Sequence, residues 1–164
     1  MRHDQPWKRG LWSLVSVAAL AAGACTMTDA GGTAGTFEPM AATYRYMFAN
    51  NASALKNDAA TYCVGIGAGP VLSDPPAALL TALADVTPEV RPASHCRAGT
   101  RVVNAAGQPS LMFNLAKVRC ESATDCLFQG GYYEANASAS SGQYHARLVN
   151  GEWQVAPEGP QAIS

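Results

Sequence analysis

Cys63, Cys96, Cys120 and Cys126 limit the folds open to this chain more than any other feature. They form an even set, while a fifth cysteine, Cys25, stands apart behind an apolar run near the start. In an oxidising compartment an even set is read as disulfides, and four thiols allow three pairings. The rival reading is a metal site. It lacks any Cys-x-x-Cys pair and any pair of histidines at ligand spacing, so no metal is expected. The pairing, and the compartment itself, have to be read from the rest of the chain.

The compartment is written in the first 25 residues. Arg2, His3, Lys8 and Arg9 precede an apolar run over residues 11–22, far short of the roughly 20 residues that span a bilayer. A basic start, a short apolar region and small residues after it make a secretory signal. Ala22-Gly23-Ala24 offers ordinary signal peptidase an Ala-x-Ala site, which would leave Cys25 free. The same residues resemble the lipobox of bacterial lipoproteins, with Ala22 where leucine is usual. That resemblance implies cleavage before Cys25 and acylation of Cys25, and lipidation is preferred here over simple secretion or an uncleaved anchor. Thr26 in place of aspartate resembles the outer-membrane sorting pattern, which implies a domain facing the periplasm. Acyl chains such as palmitate contribute about 0.8 kcal/mol per buried methylene, so several hold a small domain durably.

Residues 1–24 are then the signal, 25–37 a lipid-bearing Gly-, Thr- and Ala-rich tether, 38–156 a single domain and 157–164 a frayed tail. Without the signal 140 residues remain, with eight basic and eleven acidic side chains and a net charge of −3. A nucleic-acid partner would need a concentrated basic face, so that class is excluded.

Within the domain a helix is expected from Pro39, whose fixed φ suits an opening turn. Met40, Tyr44 and Met47, with Phe48 alongside, make one apolar face, and Asn50-Asn51 ends it. Residues 60–67 alternate, with Ala60, Tyr62, Val64 and Ile66 on one side of a strand. Asp74-Pro75-Pro76 opens a second helix carrying Leu79, Leu80, Leu83 and Val86, with Asp74 as its cap and Thr87-Pro88 as its stop. A further extended piece runs over residues 90–96. Strand, helix and strand bring Cys63 and Cys96 onto neighbouring chains. Residues 110–120 and 126–133 read as a hairpin in which Cys120 faces Cys126, Val118 faces Phe128 and Ala116 faces Gly130. Gly130-Gly131 marks a bulge or bend. Residues 136–141 form a polar loop. Asn150-Gly151 is the preferred two-residue hairpin turn, pairing Leu148 with Trp153 and Ala146 with Val155. The predicted class is α+β: an N-terminal helix and a short second helix on a bent, mainly antiparallel sheet.

That element order resembles the cystatin-like and NTF2-like α+β modules over residues 39–156. More locally, Tyr62-Cys63-x-Gly-x-Gly, Asp74-Pro75-Pro76, Gly130-Gly131-Tyr132-Tyr133 and Gly151-x-Trp153-x-Val155 resemble a pattern of uncharacterised exported bacterial proteins, a likeness that implies no activity.

Few residues invite chemistry. Residues 65–69 are glycine-rich after a strand, but Pro70 intervenes and no helix opens on the glycines, so no dinucleotide cofactor is expected. His95 and Cys96 are adjacent on an extended segment and point apart, which defeats a thiol–base pair. Asp74, Glu121, Asp125 and Glu134 are the carboxylates available for acid–base work. Asp74 is explained as a cap, and Glu121 and Asp125 as loop residues. The NTF2-like resemblance implies a site inside the sheet's concavity, for which Tyr133, Glu134 and His145 are the candidates. Ser141-Gly142-Gln143-Tyr144 is similar to the Ser-Gly-x-x-Tyr loop of membrane-bound lysozyme inhibitors, one residue short. Asn51-Ala52-Ser53 and Asn136-Ala137-Ser138 match the glycosylation sequon, which a bacterial lipoprotein leaves bare. The reading that results is a lipid-anchored envelope module that binds an envelope protein or glycan without catalysis. A small-ligand or enzymatic NTF2-like module and an inhibitor of a wall-degrading enzyme are the alternatives.

Overall fold

The computed structural model describes residues 37–69, 71–135 and 138–163. The chain divides after Gly31, and all of these residues belong to the second unit. The signal segment, Cys25 and the tether up to residue 36 lie outside the described residues, as do Asn136 and Ala137 of the second sequon. The domain is α+β. Its elements are α1 (Phe37–Asn50), β1 (Tyr62–Ile66), α2 (Ala77–Ala82), β2 (Val90–Pro92), β3 (Cys96–Arg97), β4 (Val103–Asn104), β5 (Leu111–Ser122), β6 (Asp125–Ala135), β7 (Ser138–Val149) and β8 (Glu152–Ile163). Six strands form a mixed sheet in the order β2-β1-β5-β6-β7-β8, and β3 pairs with β4 separately. Among the described residues no helix is long and apolar enough to cross a membrane.

The expected apolar face of α1 is the core. Met40, Tyr44, Met47 and Phe48 are buried against Tyr62, Val64, Leu111, Phe113 and Phe128 of the sheet. Phe48 lies 4.8 Å, centroid to centroid, from both Tyr62 and Phe113. The last helical carbonyls are not left orphaned. Asn50 donates to Tyr46, Asn51 to Phe48 and Met47, and the Lys56 ammonium to Ala49. Two asparagines and a lysine thus end the helix.

β1, α2 and β2 form the strand–helix–strand unit, with β1 parallel to both β2 and β5. β1 is therefore central, and burial extends to both its faces rather than to one. Leu72 and Ala93 cover the far side: a Cβ on Gly65 would lie 2.6 Å and 2.8 Å from their side chains. The Cys63–Cys96 disulfide ties this cover to the sheet, with Cα atoms 6.1 Å apart. Asp74 is not a cap. Pro76 holds the N-cap position with no side-chain hydrogen bond, and Asp74 accepts from the Ser94 N–H and hydroxyl at 2.8 Å and 2.6 Å. The second helix also ends at Ala82, before the predicted proline stop.

Cys120 does face Cys126 and is bonded to it. The neighbouring register differs from expectation: Arg119 faces Leu127, while Ala116 faces Gln129 and Leu115 faces Gly130. An extra residue in β5 at 117–118 causes the slip, with Lys117 at φ +47° and Val118 turned to solvent. A bulge puts two residues opposite one and re-aims the chain. Gly130 and Gly131 are not that bulge. They allow close approach: a Cβ on Gly130 would stand 2.7 Å from Leu115 and 3.2 Å from the Met47 sulfur, and one on Gly131 would stand 2.1 Å from the Ser140 carbonyl.

The final hairpin matches its sequence signal, with Asn150 at φ +53°, Gly151 at φ +86°, and Leu148–Trp153 and Ala146–Val155 as pairs. The tail does not fray after Ala156. β8 continues to Ile163, pairing Ser141 with Ala162 and Ser140 with Ile163 around an irregularity beside Gly159. Likewise the expected polar loop at 136–141 is already strand from Ser138.

Candidate functional site

The three site candidates do not meet. Tyr133 and Glu134 are neighbours on β6 and so point to opposite faces. Tyr133 lies on the face turned from α1, where its hydroxyl donates to the Gly99 carbonyl at 2.7 Å. It borders an apolar recess of about 480 Å³ with Leu72 and Met112. Glu134 lies on the helix side and accepts from the Ser53 hydroxyl at 2.6 Å and the Ser138 hydroxyl at 2.8 Å. Both bonds join the loop after α1 to the start of β7. His145 faces Leu127 across β6–β7, six residues from Tyr133 along the strand, or about 20 Å. The concave side expected to hold a site is instead filled by α1, with Met40, Tyr44 and Phe48 buried and Trp153 packed at the margin.

His145 belongs to a different constellation. Its Nε2 is 2.5 Å from Asp125 on β6, its Nδ1 is 3.2 Å from Glu158 on β8, and Arg147 Nε stands 3.3 Å from the second Asp125 oxygen. A carboxylate only accepts, so a ring set between two of them donates from both nitrogens when it is the imidazolium. The hydrogen bond from His145, with the charges of His145 and Arg147, holds the Asp125 carboxyl below the ordinary carboxylate range. The group clamps three adjacent strands. Among the described residues no nucleophile is hydrogen-bonded to it. Asp125 is therefore not an idle loop residue.

The other motifs resolve structurally. Glu121 pairs with Arg119 at 3.1 Å. Cys96 is in its disulfide, and His95 closes a 3₁₀ turn over Ala93–His95. Residues 65–69 lead into a return that pairs Ile66 with Ser73, with no helix opening on the glycines. Ser141, Gly142, Gln143 and Tyr144 are not a loop: they lie inside β7, paired with β6, and Tyr144 is buried. Among the described residues no group of three or more His, Cys, Asp or Glu is placed to hold a metal.

A recess that the sequence reading did not anticipate opens where the C-terminal turn of α1 meets β6, β7 and β8. It is lined by Tyr46, Asn50, Tyr132, Ser140, Tyr144 and Gln161, among others. Burial pushes the Tyr144 and Tyr132 phenols up, so both stay neutral donors. The sequence places Gln161 in a frayed tail, whereas in the structure it belongs to β8, which supplies one wall of the recess. Compared with known proteins, the chain matches no family model, no curated protein and no solved structure.

Proposed function

We propose that this is a lipid-anchored module of the bacterial cell envelope, held at a membrane through Cys25 and acting by binding rather than by catalysis. The observation that carries the reading is the division of the thiols. Cys63–Cys96 and Cys120–Cys126 are closed, which is the chemistry of an oxidising, extracytoplasmic compartment. That leaves Cys25, behind a short apolar run, as the one cysteine outside the pairs. The separation of Tyr133, Glu134 and His145, and a sheet face filled by α1, favour recognition at the surface over an enclosed catalytic cavity. An outer-membrane position facing the periplasm follows from Thr26 on the same reading.

Labelled palmitate fed to cells tests the anchor. The wild-type chain is expected to take up label and sediment with membranes, and Cys25→Ser to lose the label and appear in the soluble fraction. A Cys25→Ser protein that stays with the membranes removes the proposal.

A further inference from the structure

The recess at the end of α1 has a volume of about 120 Å³, well below the roughly 300–1,000 Å³ of pockets for drug-sized ligands. Tyr46, Tyr132 and Tyr144 share its apolar lining with Met47, Pro157 and Ile163. Tyr46 and Tyr144 meet edge to face with centroids 5.9 Å apart. Asn50, Ser140 and Gln161 add neutral polar side chains, and none of the described lining residues is charged.

One of these groups is unsatisfied. Gln161 Oε1 accepts from the Tyr144 hydroxyl at 3.1 Å, while Nε2 is buried with no partner among the described residues. Turning the amide over orphans the oxygen instead. A buried polar group without a partner costs about 1–3 kcal/mol. A Cβ on Gly142 would stand 2.1 Å from Oε1 and 2.2 Å from Nε2, so a side chain at that position would displace the amide.

We infer that this recess binds one neutral pyranose ring, the terminal sugar of an envelope glycan. A pyranose has an apolar C–H face, which aromatic rings cover, and a rim of hydroxyls, which amides and hydroxyls satisfy. A charged ligand finds no counter-charge among the described lining residues. The size admits a single ring and leaves the remainder of a chain outside. The inference rests on the domain being displayed outside the cytoplasm, as proposed above, but does not require an acylated Cys25.

The test is saturation-transfer NMR on the full-length protein, purified in a detergent without sugar headgroups. The probes are the methyl glycosides of glucose, galactose, mannose and N-acetylglucosamine, with methyl glucuronide as the charged control. Transfer to the ring protons of at least one neutral glycoside is expected. Tyr46→Ala and Gln161→Leu, each checked by thermal melting for an intact fold, should weaken binding at least tenfold. Ser140→Trp, which fills the recess, should abolish it, whereas Gln129→Ala on the opposite face should change nothing. Should one variant fail to fold, the others read the same site. No transfer from any neutral glycoside, transfer only to the glucuronide, or transfer undiminished in the folded variants overturns the inference. Because binding is read on purified protein, its failure leaves the anchoring proposal standing, and a palmitate-free chain that binds sugar separates the two the other way.

Discussion

Tyr44 shows how one polar atom is accommodated in this core. Its ring is wholly buried, and its hydroxyl donates to the Gly65 carbonyl at 2.7 Å, joining α1 to β1. Burial pushes the phenol well above its ordinary range. Tyr44→Phe keeps the ring and removes this bond between α1 and β1, so a urea midpoint should report a loss of about 0.5–1.5 kcal/mol; an unchanged midpoint would mean the bond contributes nothing. Asp125 makes a different demand. Its carboxyl sits below the ordinary range in the fold, so the stability it contributes is present above the unfolded value of about 3.9 and is lost as pH falls through the folded value. Asp85, held down by Arg45, acts on the same acid limb. Melting temperatures of wild type and Asp125→Asn should therefore differ at pH 5 and converge toward pH 2. Parallel curves would contradict the clamp.

At the scale of elements, close approach decides more than propensity. A Cβ on Gly131 would collide with the Ser140 backbone, and backbone cannot swing aside as a side chain can. Gly131→Ala should lower stability by about 1–3 kcal/mol, read from chemical denaturation, and a neutral effect would show that β6 and β7 part easily. The same scale explains what was legible in the sequence. The face of α1, the strand–helix–strand order and the Asn150-Gly151 hairpin rest on periods and turn chemistry within a few residues, and they stand in the structure. The bulge at Lys117–Val118 leaves no such mark, because it exists only relative to β6. β8 was lost to its prolines and to Gly159. Pairs alternate from the turn, so Pro157, opposite Tyr144, lies at a position whose backbone faces away from β7. An edge strand tolerates proline there. With the end of β8 went the recess, since Gln161 reaches Tyr144 only as part of the sheet. The pairing of His145 with Asp125 and Glu158 was hidden for the same reason: it needs three strands in register.

For the whole molecule, the disulfides do different amounts of work. Cys63–Cys96 closes 33 residues and Cys120–Cys126 only six, so the chain-entropy estimate gives about 3–4 kcal/mol for the first and about 2 for the second. The double variant Cys63→Ala/Cys96→Ala should accordingly melt lower than Cys120→Ala/Cys126→Ala, and the reverse order would mean that native-state packing, not loop closure, sets the balance. Both pairs also carry the larger claim, that Cys25 is modified while its four successors are bonded to one another. Intact mass of the membrane-extracted protein, before and after reduction, tests this most directly. The expected result is a chain beginning at an acylated Cys25 that gains four hydrogens on reduction, two for each bridge. A chain without acyl mass, or one whose mass reduction leaves unchanged, would contradict it.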